Sequence, residues 1–150
     1  VPTFSDKSLQ KLETCDHHLQ ILFTEVVKHY DCTVLYGHRS PDEQFEIYKQ
    51  GRELINGVWV IADKSKIVTN CDGYKIKSNH NKLPSKAVDV APYVNGVCFE
   101  PKQVYYFAGV VTGIAICMNL RDKIRGGCDW DGDNDIGDQV FNDLLHWEII

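Results

Sequence analysis

The residue that most constrains this chain is Asp89, a carboxylate inside the apolar run Ala87-Val-Asp-Val-Ala91. Such a run reads as a short buried strand. An ionised carboxylate there is costly unless it binds a cation or accepts strong hydrogen bonds. Upstream, Ser78-Asn-His80-Asn-Lys-Leu-Pro84-Ser places a histidine before a Pro-containing turn that leads into the strand. The far end of the sequence reads Asp143-Leu-Leu-His146-Trp-Glu148-Ile-Ile. If 145–149 is a strand, His146 and Glu148 share one face and Trp147 takes the other. Two imidazoles and one carboxylate can make a three-ligand zinc site that keeps a fourth position for water. Asp143, three residues before His146, could then act on that water. Glu148 is either a ligand or a partner that orients a histidine ligand.

With 150 residues, 43% of them hydrophobic, the chain fits one domain with a real core. A net charge of -5 and the absence of any Lys/Arg run argue against a nucleic-acid partner. The most apolar stretch, 104–120, contains Tyr, Gly and Thr and is short for a bilayer span, so it reads as buried and no stable membrane insertion is expected. Six cysteines, at 15, 32, 71, 98, 117 and 128, form no Cys-x-x-Cys pair. They are expected to be free thiols, with Cys32 and Cys117 buried as small hydrophobes.

Leucines and other apolar residues at three- and four-residue spacing predict one or two amphipathic helices over about 6–30, capped at Ser5 or Asp6 and again at Asp16. Asp31 to Gly37 reads as a strand, and Ser40-Pro-Asp-Glu43 as a capping box that opens the next helix. Arg39 sits at that junction, either reaching into a cleft or making a surface salt bridge. Residues 52–77 read as an insertion with a hairpin between Val58–Ile61 and Ile67–Thr69, flanking a substrate groove or simply solvated. Pro101 opens a core helix, and Ile124-Arg-Gly-Gly-Cys-Asp-Trp130 turns the chain, with Trp130 lining the cleft or packing in the core. The acidic loop 129–138 partly matches a calcium loop but lacks Gly at its sixth position and Glu at its twelfth, so a solvated turn is preferred to Ca2+ there.

No His-Glu-x-x-His helix and no Gly-x-Ser-x-Gly elbow is present. A cysteine nucleophile paired with His stays open in principle, but no Cys has a local signature for it, so a metal site is the favoured chemistry, with the bond cleaved left open.

Ser78-x-His80 with Ala87-x-Asp89, followed by Asp143-x-x-His146-x-Glu148, resembles the D-Ala-D-Ala carboxypeptidase and VanY/VanX-like zinc peptidases. Within them, the chain is most similar to the phage L-alanyl-D-glutamate endopeptidase endolysins. Gly37-His-Arg39-Ser-Pro-Asp-Glu-Gln44 and Gly126-Gly-Cys-Asp-Trp130 also resemble segments of that family. The resemblance implies Zn2+ held by His80, Asp89 and His146, with Asp143 and Arg39 catalytic. It places Ser78, Gln44, Trp130 and Glu148 around the site. The implied fold is α+β of the Hedgehog/DD-peptidase type, a small antiparallel sheet packed with helices, with no separate wall-binding domain.

The implied activity is hydrolysis of a peptidoglycan stem-peptide amide by a monomer. It would act from the host bacterial cytoplasm and reach the periplasm or wall at lysis, or else be carried on the virion. A D-Ala-D-Ala-type carboxypeptidase, a tail-associated wall peptidase and an inactive zinc-stabilised structural protein are the alternatives. The His80-to-Asp89 interval is longer than in many relatives, and the 52–77 region is bulkier than the family core requires.

Overall fold

The computed structural model describes residues 1–150. In chain order the elements are α1 (Asp6–Leu12), α2 (His17–His29), β1 (Cys32–Tyr36), α3 (Pro41–Tyr48), β2 (Arg52–Ile55), β3 (Val58–Ile61), β4 (Ala87–Pro92), α4 (Pro101–Cys117), β5 (Ile124–Gly127) and β6 (Asp143–Ile149). Strands β1, β4, β6 and β5 form, in that order, a four-stranded antiparallel sheet. Asp89 therefore lies on an inner strand, with β1 on one side and β6 on the other. In the β4–β6 register it stands directly opposite His146.

Alternation along β4 and β6 divides the sheet into two faces. Val88, Val90 and Trp147 point into a core filled by Leu19, Leu22, Phe23 and Val26 of α2 and by Phe107, Ala108 and Val111 of α4. The Trp147 ring meets Phe23 edge-on at 6.1 Å. Asp89, His146 and Glu148 belong to the other face. Helices α2 and α4 cover the apolar face, so the polar face is left for a site.

The helix starts follow the local signals. The side chains of Ser5 and Asp16 accept from the backbone N–H groups of Ser8 and His18, capping α1 and α2. At α3 both halves of the capping box are made: Ser40 Oγ accepts from Glu43 N at 3.1 Å, and Glu43 Oε2 accepts from Ser40 N at 2.7 Å.

Three expectations need correction. The hairpin pairs Arg52–Ile55 with Val58–Ile61, and 67–69 lies outside it. Asn56 and Gly57 both take positive φ, 50° and 78°, the backbone that a two-residue hairpin turn requires. Ile124–Gly127 is an edge strand paired with β6 rather than a turn. Cys117 is exposed at the end of α4, while Cys32 is buried as expected, and all six cysteines are free. No helix is long and apolar enough to cross a membrane.

Candidate metal centre

Three segments far apart in sequence converge on the open face of the sheet. His80 sits in a 3-10 turn, Asn79–Asn81, whose start is capped by the Ser78 side chain accepting from His80 N at 3.2 Å. That turn is fastened to the β1–α3 junction. Arg39 N donates to His80 O at 2.9 Å, and Asn81 Nδ2 donates to Arg39 O at 3.0 Å. His80 is 1% exposed, and its Nδ1 lies 2.7 Å from the carbonyl oxygen of Gly37. Donation to that carbonyl leaves the lone pair on Nε2.

His80 Nε2, Asp89 Oδ1 and His146 Nδ1 form a triangle with sides of 3.3, 3.1 and 3.4 Å. Tetrahedral zinc with bonds of about 2.0–2.1 Å places neighbouring donors about 3.3 Å apart. His146 Nε2 lies 3.0 Å from Glu148 Oε2 and donates to it, so His146 also presents its lone pair, on Nδ1, to the centre. Two imidazole lone pairs and a carboxylate oxygen thus face one another, which repels unless a proton or a cation sits between them. The donor set fits zinc.

The surroundings hold each donor in place. Asp89 uses its other oxygen, Oδ2, to accept from Arg39 at 2.6 Å. The Arg39 guanidinium lies over the Tyr36 ring at 4.3 Å and approaches Gln44 Oε1 at 3.4 Å. Gln44 is fully buried and donates onward to Cys71 O. Glu148 accepts from Arg125 through Nε at 3.0 Å and Nη2 at 2.7 Å, and from Asn79 Nδ2 at 2.8 Å. The Trp130 ring is tilted over His146 with centroids 5.6 Å apart, so it lines the site and not the core.

Ionisation follows from these contacts. Burial raises the Asp89 pKa, but hydrogen bonds from His146 and His80 overcome it and hold the group far below the usual carboxylate range. Burial likewise opposes the charged form of His146, yet Asp89 and Glu148 together raise it to about 9 in the absence of a metal. Glu148, despite burial, is drawn down to about 2 by His146, Asn79 and Arg125. Asp143 moves the other way: burial, then the charge of Asp89, push its pKa above the ordinary value.

Asp143 reaches this face through an irregularity in the sheet. Gly126 pairs with Trp147, but the next residue, Gly127, pairs with Asp143, so the register slips between them. The slip re-aims the start of β6, and Asp143 and Leu145 join His146 and Glu148 in lining a groove of about 810 Å³. Arg39, Ser78, Trp130 and the 64–71 stretch line it as well. Asp129, Asp131 and Asp133 also gather. There, however, Asp129 already accepts from Arg121 and from the backbone N–H groups of Gly132 and Asn134.

Sequence reasoning missed Arg125 and Asn79. Arg125 carries no motif, and it becomes part of the site only because β5 sets it directly across from Glu148.

A family model described as phage L-alanyl-D-glutamate peptidase matches residues 1–150. Among solved structures, the crystal structure of Serratia marcescens L-Ala D-Glu endopeptidase ChiX is similar, with a TM-score of 0.65 at 16% identity, covering 99% of this chain and 91% of that one. No curated protein sequence matches the chain.

Proposed function

Since the chain belongs to the phage L-alanyl-D-glutamate peptidase family, we propose that it is a zinc-dependent endopeptidase cutting the L-Ala–D-Glu bond of bacterial peptidoglycan. The observation that carries this reading is the donor triangle of His80, Asp89 and His146, with Asp143 in the same groove. His80 Nε2, Asp89 Oδ1 and His146 Nδ1 would hold the ion. When bound, zinc supplies an acidified water and a Lewis acid for the scissile carbonyl.

The chain's own residues do the rest. Asp143 is the general base and acid: it takes a proton and returns it to the departing amide nitrogen. Its raised pKa suits both halves of that exchange better than an ordinary aspartate's would. Arg39 has an Nη bonded to Asp89, so it fixes the ligand carboxylate while its charge still faces the groove. Arg125 and Asn79 hold Glu148, which in turn sets the tautomer of His146. The phage family suggests action on the host wall at lysis.

The test is mass-resolved digestion of purified peptidoglycan by zinc-loaded protein beside Asp143→Ala. New amino termini at D-Glu, lost in the variant, are expected. Release of terminal D-Ala alone would replace the proposal with a carboxypeptidase, and no product from metallated wild type would reject catalysis on this polymer.

A further inference from the structure

Charge is unevenly distributed along this chain. Residues 49–86 hold eight Lys or Arg against three Asp or Glu, whereas the remainder holds eight against eighteen. Half of the basic groups in that segment are already engaged. Lys49 pairs with Glu46, Lys66 with Asp63 and Lys86 with Asp16, and Arg52 donates to the carbonyls of Tyr48 and Thr69. Lys64, Lys75, Lys77 and Lys82 make no ion pair, and of these Lys64 and Lys77 line the groove that contains Asp89 and His146.

Their side of the groove is defined by the fold. The 64–77 stretch is tied to α3 through Gln44 and to Arg52, next to the β1 edge of the sheet. The β5 edge carries Trp130, followed by the acidic 131–138 loop. Lys64 and Lys77 therefore lie on one side of the groove, while its Trp130 side is lined by Phe141 and the Asp143 carboxylate and by no lysine. Arg39 cannot supply the cationic end alone, because Asp89 occupies it at 2.6 Å.

The substrate has a matching asymmetry. A D-glutamyl residue acylated on nitrogen has two carboxyl groups, and only one can continue the chain. Whichever continues, the other is a free anion within a few bonds of the scissile nitrogen.

Resting on the proposed L-Ala–D-Glu specificity, we infer that Lys64 and Lys77 bind this spare carboxylate and so determine which way the stem peptide lies. The D-glutamyl side of the scissile bond then points to the β1 edge, and the L-alanyl side to Trp130. Placed the other way round, the anion would lie on the Trp130 side, which carries Asp143 and no lysine. These two lysines are specificity residues that discriminate glutamate from its amide.

The test compares kcat/KM on two soluble stem peptides, identical except that the spare carboxyl is free in one and a carboxamide in the other. Wild type is expected to favour the acid by about fivefold to tenfold, as a charge-assisted contact would. Lys64→Gln with Lys77→Gln should bring that ratio close to one, chiefly through KM, while Lys75→Gln leaves it unchanged. Both lysines are exposed, so bound zinc and Tm should stay at wild-type values and separate specificity from folding. An unchanged acid-to-amide ratio in the double variant, or no preference in wild type, overturns the inference and leaves the peptidase reading intact. Failure of zinc-loaded wild type to cut either peptide overturns the peptidase reading and this inference with it.

Discussion

His146 connects the two sides of the site. One ring nitrogen faces the proposed metal position between His80 and Asp89 and the other donates to Glu148, and in the absence of metal these contacts raise its pKa to about 9. A metal ligand must be neutral, so binding displaces a proton. Apparent zinc affinity should therefore rise with pH up to about 9 and then level off. Chelator competition across that range, with calorimetry in two buffers of different ionisation heat, checks both the slope and the proton released.

Glu148→Gln keeps the shape but weakens the acceptor. Loss of such a partner typically costs about 10–100-fold in metal affinity, measurable by the same competition. Asp143→Asn should act differently, lowering kcat by about 10²–10⁴-fold with zinc affinity nearly unchanged. A variant that lost its metal as well would make Asp143 a ligand instead.

Among the elements, the β5–β6 pairing is the most demanding. A Cβ on Gly126 would stand 2.9 Å from the Trp147 ring, which lies across that glycine. A Cβ on Gly127 would come within 2.3 Å of the Asp143 carbonyl oxygen and 2.9 Å of the Trp130 ring. Gly126→Ala presses on the core and should cost about 1–3 kcal/mol of stability with the site intact once folded. Gly127→Ala pushes on Asp143 and Trp130, so it should reduce kcat further than its loss in urea midpoint explains. Equal effects of the two on activity would contradict this division.

At the scale of the whole molecule, stability depends on pH and on metal. Asp16 bridges the start of α2 to Lys86, just ahead of β4, at 2.5 Å. Burial opposes its charge, but Lys86 and His18 still bring its pKa from 3.8 down to about 2. Because the folded value lies below the unfolded one, the contribution is complete above about pH 4 and is lost as pH falls toward 2. Asp16→Asn should lose about 1 kcal/mol at neutral pH and show a shallower decline over that acid range in urea titrations.

Zinc at His80, Asp89 and His146 would join β4, β6 and the 79–81 turn. Free zinc at a hundred times its Kd would add about 2.7 kcal/mol, so chelation should lower Tm. An unchanged Tm would show that the metal does not hold these elements together.

The sequence by itself determined the local features. Capping residues started the helices at Ser5, Asp16 and Ser40, apolar spacing identified the core helices, and an aspartate inside a buried run marked β4. Alternation put His146 and Glu148 opposite Trp147. Each of these depends on neighbours a few residues apart, so each is written in the local order of side chains.

Pairing between strands was decided only in three dimensions. The β5–β6 slip turned Asp143 into the groove, and β5 delivered Arg125 to Glu148. Arg39 is held on Asp89, and Lys64 and Lys77 join the same groove, because α3 packs the 64–77 stretch beside β1. These contacts span tens of residues, and register and packing, which no single segment encodes, decide which side chains meet.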